Sequence, residues 1–348
     1  MKLEPNFERL RRTLFCQEPD RVPLAELLMD REMKDAFLGK PVRDTKTDVE
    51  FWKAAGYDYI CIFPAKEMFE QSLPTNISYT QTAVGEGKFE RKWAEGNRGV
   101  IACLKEFEEF PWPDSTNANY KLVEETKSHL PEGMGLICSV GGLWEYVWQL
   151  MGFESFSMAL ADNPELVEKM FHRVREIVYE IFTNLMDFDG IDAMWFCDDI
   201  AYTEGLMISP DILRKYLFPW YKKMAKICHD RGLPVLYHSD GNLWQVMGDI
   251  IDAGINAIHP IEPKAMDIGK LKKEVGDRLC LIGNIDLGYT LTRGTPEEVE
   301  EEVRQRIKDI APGGGYCVGS SNTVTNYVPL ENYQAMIEAT LKYGSYPK

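Results

Sequence analysis

At 348 residues, the chain has room for a large α/β fold, and its 45% hydrophobic and 27% charged residues describe a globular protein with ample core material. The formal net charge of −16 excludes nucleic acid and anionic membrane surfaces as expected partners, because both need clustered Lys and Arg. Residues 1–20 lack the apolar core of a signal peptide, no run approaches the ~18 apolar residues of a membrane span, and the eight scattered cysteines form no C-x-x-C pair, so reduced, mostly buried thiols of a cytoplasmic protein are expected.

Met1 to Asp20 reads as largely helical, with Phe7, Leu10, Leu14 and Phe15 on one face. Arg21–Glu26 is the first strand candidate and Tyr57–Phe63 the second, stopped by Pro64. From Ile77 to Phe107 the texture changes. Tyr79–Val84, Lys88–Trp93 and Gly99–Glu106 alternate in character between Gly-containing turns, which predicts a small antiparallel β insertion near residues 77–107. Met134–Val140 is the third main strand, with Gly141-Gly142 as its exit.

From there the alternation is regular. Asn163-Pro164 opens a long helix to about Phe188, Asn163 as cap and Pro164 in the first turn. Ile191–Cys197 is the fourth strand, and Ser209-Pro210 opens a helix that ends at Gly232. Leu233–His238 is the fifth strand, followed by Ser239-Asp240-Gly241 and by Asn242, which can cap the next helix. Ile255–His259, Leu279–Ile282 and Tyr316–Val318 are strands six to eight. Thr295-Pro296-Glu297-Glu298 is a capping box opening a helix to about Ile310, and Pro329–Tyr343 closes the chain as a helix.

Eight short apolar strands, most followed by a helix, predict a (β/α)8 TIM barrel in one domain spanning residues 1–348. The alternative is a doubly wound open sheet, but no strand runs into a G-x-G-x-x-G turn, and Gly313-Gly314-Gly315 precedes a strand rather than a helix.

In such a barrel the carboxyl ends of all strands share one mouth. That gathers Asp198, Asp199, His238, Asp240, Glu262, Asn284, Asp286 and Asn322. Several carboxylates around one imidazole make a candidate divalent-metal site, with His238, Asp240 and Glu262 as ligands and the others as candidate catalytic residues. Plainer roles stand beside these. Asp198-Asp199 can order the next loop, Glu262 and Asp286 can pair at the rim, and Asn284 and Asn322 can shape turns. His259, inside an apolar strand before Pro260, is expected to be structural. Trp144, Tyr146 and Trp148 can line a pocket or pack their segment onto the barrel.

The strings His238-Ser239-Asp240-Gly241-Asn242, Ile261-Glu262-Pro263, Gly283-Asn284-Ile285-Asp286, Gly294–Val299, Ala311–Gly315 and Pro329-Leu330-Glu331-Asn332 resemble the uroporphyrinogen decarboxylase superfamily, most densely from Asp198 to Pro347. The resemblance implies a TIM-type barrel and two activities, decarboxylation of porphyrinogens and methyl exchange with a corrinoid protein. The decarboxylases carry a Met-Arg-Gln-Ala-Gly-Arg signature after the first strand, whose arginines hold substrate carboxylates, and a catalytic Asp past the second. Here Leu28 and Glu32 stand at the arginine positions and Ala65 at the acid. A substrate with many carboxylates needs cations, so uroporphyrinogen decarboxylation is not expected.

The thiol-methylating branch binds zinc through His-x-Cys and a later Cys. Here His238 matches, with Asp240 and Asn322 at the cysteine positions. A His and carboxylate set is harder than thiolates and suits a cation that polarises oxygen. The resemblance therefore implies an O-demethylating methyltransferase, with zinc in the mouth and a small methyl donor. Cob(I)alamin on a separate corrinoid protein would attack the methyl carbon, since no corrinoid-binding module is apparent here. A decarboxylase of a smaller acid and a non-catalytic ligand-binding barrel are the alternatives.

Overall fold

Seven of the apolar runs become one parallel sheet, because each is short, rich in branched or aromatic residues and followed by a helix that covers it. In the computed structural model, which describes residues 4–70, 75–81, 88–94 and 99–346, the strands are β1 (Tyr59–Ile62), β2 (Thr75–Gln81), β3 (Lys88–Ala94), β4 (Gly135–Gly141), β5 (Ala193–Cys197), β6 (Ala201–Tyr202), β7 (Gly205–Leu206), β8 (Val235–His238), β9 (Ala257–His259), β10 (Cys280–Ile285) and β11 (Tyr316–Ser320). The seven-stranded sheet has the order β1-β4-β5-β8-β9-β10-β11, and β2-β3 and β6-β7 are separate pairs.

The sheet is curled, and the first extended segment joins its two edges. Leu24 forms a parallel bridge with Val318 of β11, with Ala25 N donating to Val318 O at 2.8 Å and Val318 N to Pro23 O at 3.0 Å. On the other side, the Tyr59 hydroxyl of β1 accepts from Glu26 N at 2.8 Å and donates to Glu26 O at 2.6 Å. This corrects the expectation of eight ladder strands. Pro23 has no N–H to give, and both main-chain groups of Glu26 are taken by a side chain, so the segment makes an isolated bridge instead of a ladder.

The antiparallel insertion is present as β2 and β3. Its expected third strand, Gly99–Glu106, is not. Gly99 N and Ile101 N donate to the carbonyls of Met151 and Leu150, and Leu104–Glu109 is helical, as a run of Leu, Lys, Glu and Phe favours. The turns expected between the strands fall at residues 82–87 and 95–98, outside the described residues.

Local signals set several helices. Asn163 accepts from Leu166 N ahead of Pro164–Met186, and Thr295 with Glu298 closes a capping box on Pro296–Ile310. The helix expected from Ser209 to Gly232 is two, Pro210–Tyr216 and Phe218–Asp230, because Pro219 cannot donate into the first. The amino-terminal helix is Phe7–Leu14, burying Leu10 and Leu14 but leaving Phe15 38% exposed. Among the described residues no helix is long and apolar enough to cross a membrane. All eight cysteines are free thiols, five of them buried and only Cys103 exposed.

Candidate functional site

The carboxyl ends of β5, β8 and β9 meet in register, with Cys197 opposite His238 and His238 opposite His259. Polar residues just beyond those positions are therefore neighbours in space. His238 is largely buried, and its Nε2 lies 3.6 Å from Asp199 Oδ1 and 3.9 Å from Asp240 Oδ1. One ligand atom from each of Asp199, His238 and Asp240 falls within 4.8 Å of the others, the spacing of a cation's ligands. Asp240 Oδ2 accepts from Asn322 Nδ2 at 2.6 Å, while its Oδ1 is buried with no hydrogen-bond partner among the described residues. An orphaned carboxylate oxygen beside an imidazole and a second carboxylate is a donor set that fits a divalent cation.

The main chain holds the group in place. Asp240 N donates to Asp199 Oδ1 at 2.8 Å and Gly241 N to Glu262 Oε2 at 2.8 Å. Gly241 has φ +86, and a Cβ there would lie 2.6 Å from the Ala201 carbonyl, so only glycine carries the chain through this turn. Asn242 Oδ1 accepts from Trp244 N at 3.2 Å, the expected cap of the following turn.

Electrostatics favour a cation here. None of Glu145, Asp198, Asp199, Asp240 and Glu262 forms an ion pair with Lys or Arg among the described residues; their one such contact is with His238. Burial, together with the charge of Asp199 and Glu262, raises the Asp240 carboxyl above its ordinary range, partly opposed by His238. Glu262 is raised by burial and by Asp199. A bound cation would relieve that repulsion.

The structure separates the other expected site residues. Asp198 is fully buried and braces the exit of β4. Its Oδ1 accepts from Trp144 N at 3.0 Å and Glu145 N at 2.8 Å, and its Oδ2 from the Tyr221 hydroxyl. Asp198→Ala strands all three donors and is expected to lower unfolding free energy by about 3 kcal/mol in urea titrations, whereas Asp198→Asn, which keeps an acceptor for both N–H groups, should cost less than about 1 kcal/mol. Equal losses for the two would show that the brace is unimportant. Asn284, at φ +83, donates to Ile261 O at 2.6 Å and so ties β10 to the loop carrying Glu262. Asp286 accepts from Gly288 N at 2.8 Å and shapes a turn. Asn322 alone of these three touches the acidic group, and Glu262 stands next to it, tied to Gly241.

Two residues join the site that the sequence reading assigned no role there. Glu145, half-buried, is raised well above the ordinary carboxylate range by burial and then by Asp199 and Asp198. It follows the exit of β4, so the strand-end rule applied to that strand would have found it. His259 Nδ1 lies 2.8 Å from His238 Nδ1, so a residue expected to serve packing is the direct partner of the site's imidazole.

Glu145 also lines a cavity of ≈ 160 Å³ with Leu28, Phe63, Phe69, Tyr146 and Cys197. Tyr146 stacks on Phe69 at 4.1 Å, whereas Trp144 packs inward against Phe156 and Phe171, so the aromatics after Gly142 divide between pocket and core. Leu28 and Phe63 separate this space from a larger one of ≈ 590 Å³ that none of the acidic group lines. Cations line both spaces, Lys66 the smaller and Arg31, Lys34 and Arg43 the larger, but none stands at Leu28 itself.

Comparison with known proteins adds the following. The sequence model of the family described as Uroporphyrinogen decarboxylase (URO-D) matches residues 98–343. The Methylcobamide:CoM methyltransferase MtaA of Methanosarcina barkeri is 26% identical over 166 residues, 47% of this chain and 45% of that protein. The uroporphyrinogen decarboxylase of Mannheimia succiniciproducens is 24% identical over 193 residues, 55% of this chain and 52% of that one. The chain thus spans about half the length of these curated relatives. A solved structure described as a methyltransferase from Methanosarcina mazei superposes with a TM-score of 0.70 at 17% identity, covering 98% of this chain and 99% of that one, and so shares the fold.

Proposed function

The chain belongs to the uroporphyrinogen decarboxylase (URO-D) family, and we propose that within it this protein is a methyltransferase that moves a methyl group from a small O-methyl compound to a corrinoid carried on a separate protein. The observation that carries this reading is the Asp199, His238 and Asp240 group, a hard donor set at the strand ends with one orphaned carboxylate oxygen. The likeness to a protein named as a methylcobamide methyltransferase supports the same reading. The fold is read as a (β/α)8 barrel whose first stave is the segment around Leu24, supported by its bridge to β11 and the Tyr59 bonds to Glu26.

Asp199, His238 and Asp240 would hold a zinc ion, and Glu262 would hold the Gly241 turn behind it. When bound, such an ion supplies a Lewis acid that polarises the oxygen bearing the methyl group. The chain's own groups do the rest. Phe63, Phe69 and Tyr146 offer an apolar wall for the donor, and the cavity's limited size keeps the methyl-bearing atom close to Glu145. Glu145, holding its proton in this acidic surrounding, stands where a departing alkoxide or phenoxide needs one.

The test combines metal analysis by inductively coupled plasma with a screen of methyl ethers and free cob(I)alamin. One zinc per chain and formation of methylcobalamin are expected. Absence of stoichiometric metal with no transfer from any donor would leave a ligand-binding barrel as the better reading. The same preparation should form no coproporphyrinogen from uroporphyrinogen, because Leu28 and Glu32 stand where the decarboxylases carry their carboxylate-holding arginines and Ala65 where they carry the catalytic acid. Decarboxylation at a useful rate would overturn that assignment.

A further inference from the structure

A cavity selects its ligand first by volume, because a group that overfills it must displace walls that are already close-packed. The smaller of the two neighbouring cavities, of ≈ 160 Å³, has aromatic walls in Phe63, Phe69 and Tyr146. An apolar cavity of about 150 Å³ accommodates one benzene ring. One ring therefore fills the smaller cavity, and a second ring in line with it has no room there. The larger cavity, of ≈ 590 Å³, has room for that second ring, with Met29, Trp52 and Ile62 among its apolar lining and Lys34 and Asp48 among its polar one. Leu28 and Phe63 line both spaces and stand between them. The chain is anchored around each. On the Leu28 side, Met29 bridges to Val324 and Asp30 N donates to Val324 O at 3.0 Å. Phe63 follows directly on β1, its carbonyl accepts from Lys66 N at 3.3 Å, and the next carbonyl, of Pro64, accepts from Asn119 N at 2.8 Å. Leu27 and Met29 are buried while Leu28 between them is only partly so, as befits a side chain that meets open space.

We infer that Leu28 and Phe63 form a fixed partition that sets the size of the donor. With the partition in place the site takes methyl ethers built on one ring; with it breached the two cavities join and the site takes two rings in line. This rests on the reading of the smaller cavity as the donor's site, but binding there calls on neither metal nor corrinoid. Leu28 is the better point to breach. Its main chain is held by the Val324 contacts, so the space left by a shorter side chain stays open instead of collapsing. It is also only partly buried, so the fold loses little with it.

The experiment measures binding of two probes to the purified full chain by titration calorimetry. One is para-methoxybenzoate, with one ring; the other is the para-methoxybiphenyl carboxylate with its two rings in line and the same methoxy and carboxylate ends. The natural protein should bind the one-ring acid and hold the two-ring acid at least ~10-fold more weakly. Leu28→Ala should bring the two-ring acid to within ~3-fold of the one-ring acid, with the two acids competing for one site. Phe63→Leu breaches the partition from the other side and should shift the ratio the same way, whereas Leu28→Met, of nearly equal volume, should keep the exclusion. Melting curves establish that each variant is folded. Equal binding of both acids by the natural protein, no binding of the one-ring acid, or continued exclusion of the two-ring acid by folded Leu28→Ala and Phe63→Leu would each overturn the inference. So would two-ring binding that does not compete with the one-ring acid. If the acids bind as expected but no methyl group passes from either to cob(I)alamin, the methyl-transfer reading fails and the partition stands.

Discussion

The variant His238→Ala should fold, retain no stoichiometric zinc, and transfer methyl groups to cob(I)alamin about 10³-fold more slowly, the equivalent of about 4 kcal/mol of lost stabilisation. The imidazole is the one nitrogen ligand in the Asp199, His238 and Asp240 group, and two carboxylates without it hold zinc weakly. The fold should survive because His238 sits at the very end of β8, past the residues that Val235, Leu236 and Tyr237 pack into the core. The main structural cost is the lost hydrogen bond between the two Nδ1 atoms, which leaves the buried His259 Nδ1 without its partner, at about 1–3 kcal/mol. Melting curves, metal content and methyl transfer must be measured together, because lost activity in an unfolded barrel decides nothing. A folded His238→Ala protein with full metal and near-normal transfer would place the chemistry elsewhere.

Glu26→Gln should be more stable than the natural protein at pH 8 and indistinguishable from it at pH 4. Glu26 is fully buried between the first segment and the end of β11, where Ser320 N donates to Oε1 at 2.5 Å and Ser320 Oγ lies 2.8 Å from Oε2. The Ser320 hydroxyl also lies 3.0 Å from Asn322 O, and its single proton can serve only one acceptor. With a proton on Glu26, both contacts are satisfied, because the acid donates to Ser320 and Ser320 to Asn322. Among the described residues no cation faces the carboxyl, and the phenols of Tyr57, Tyr59 and Tyr333 lie around it. Burial pushes its pKa up to about 8 from an ordinary 4.5. Between those values the folded state keeps a proton that the unfolded chain has lost, so stability falls as pH rises. The contribution is complete below pH 4.5 and gone above pH 8. The slope is about 1.4 kcal/mol per pH unit, a few kcal/mol in all. Gln has no such dependence. Urea unfolding of both proteins from pH 4 to 9 should show curves that diverge through that window and then run parallel; parallel curves throughout would mean that Glu26 is ionised in the fold.

Much of the site's composition was legible before any coordinates. Leu233–His238 reads as a strand because a contiguous apolar run stops abruptly at polar residues, and in a parallel sheet such stops face the ligand-binding end. The caps at Asn163 and Thr295 are equally local, since their hydrogen bonds close within three residues. The expectation of an eighth ladder strand failed where a long-range contact intervened, the Tyr59 hydroxyl occupying the main chain of Glu26 from 33 residues away.

The sequence by itself determined which residue types stand at the strand ends: an imidazole and several carboxylates, with no arginine at Leu28 and no acid at Ala65. Those follow from the order of residues along each strand, which no tertiary contact changes. Only the tertiary structure decided which of them meet. Asp198 and Asp199 are adjacent, chemically alike and both just past the end of β5, yet one is buried under Trp144 and Tyr221 while the other reaches His238. Whether His259 lies in the core or against His238 depends on the register between β8 and β9, and Glu145 arrives on a turn that Asp198 holds from another strand. Register and turn placement are set by packing between segments far apart in the chain, and single-strand patterns carry no record of them.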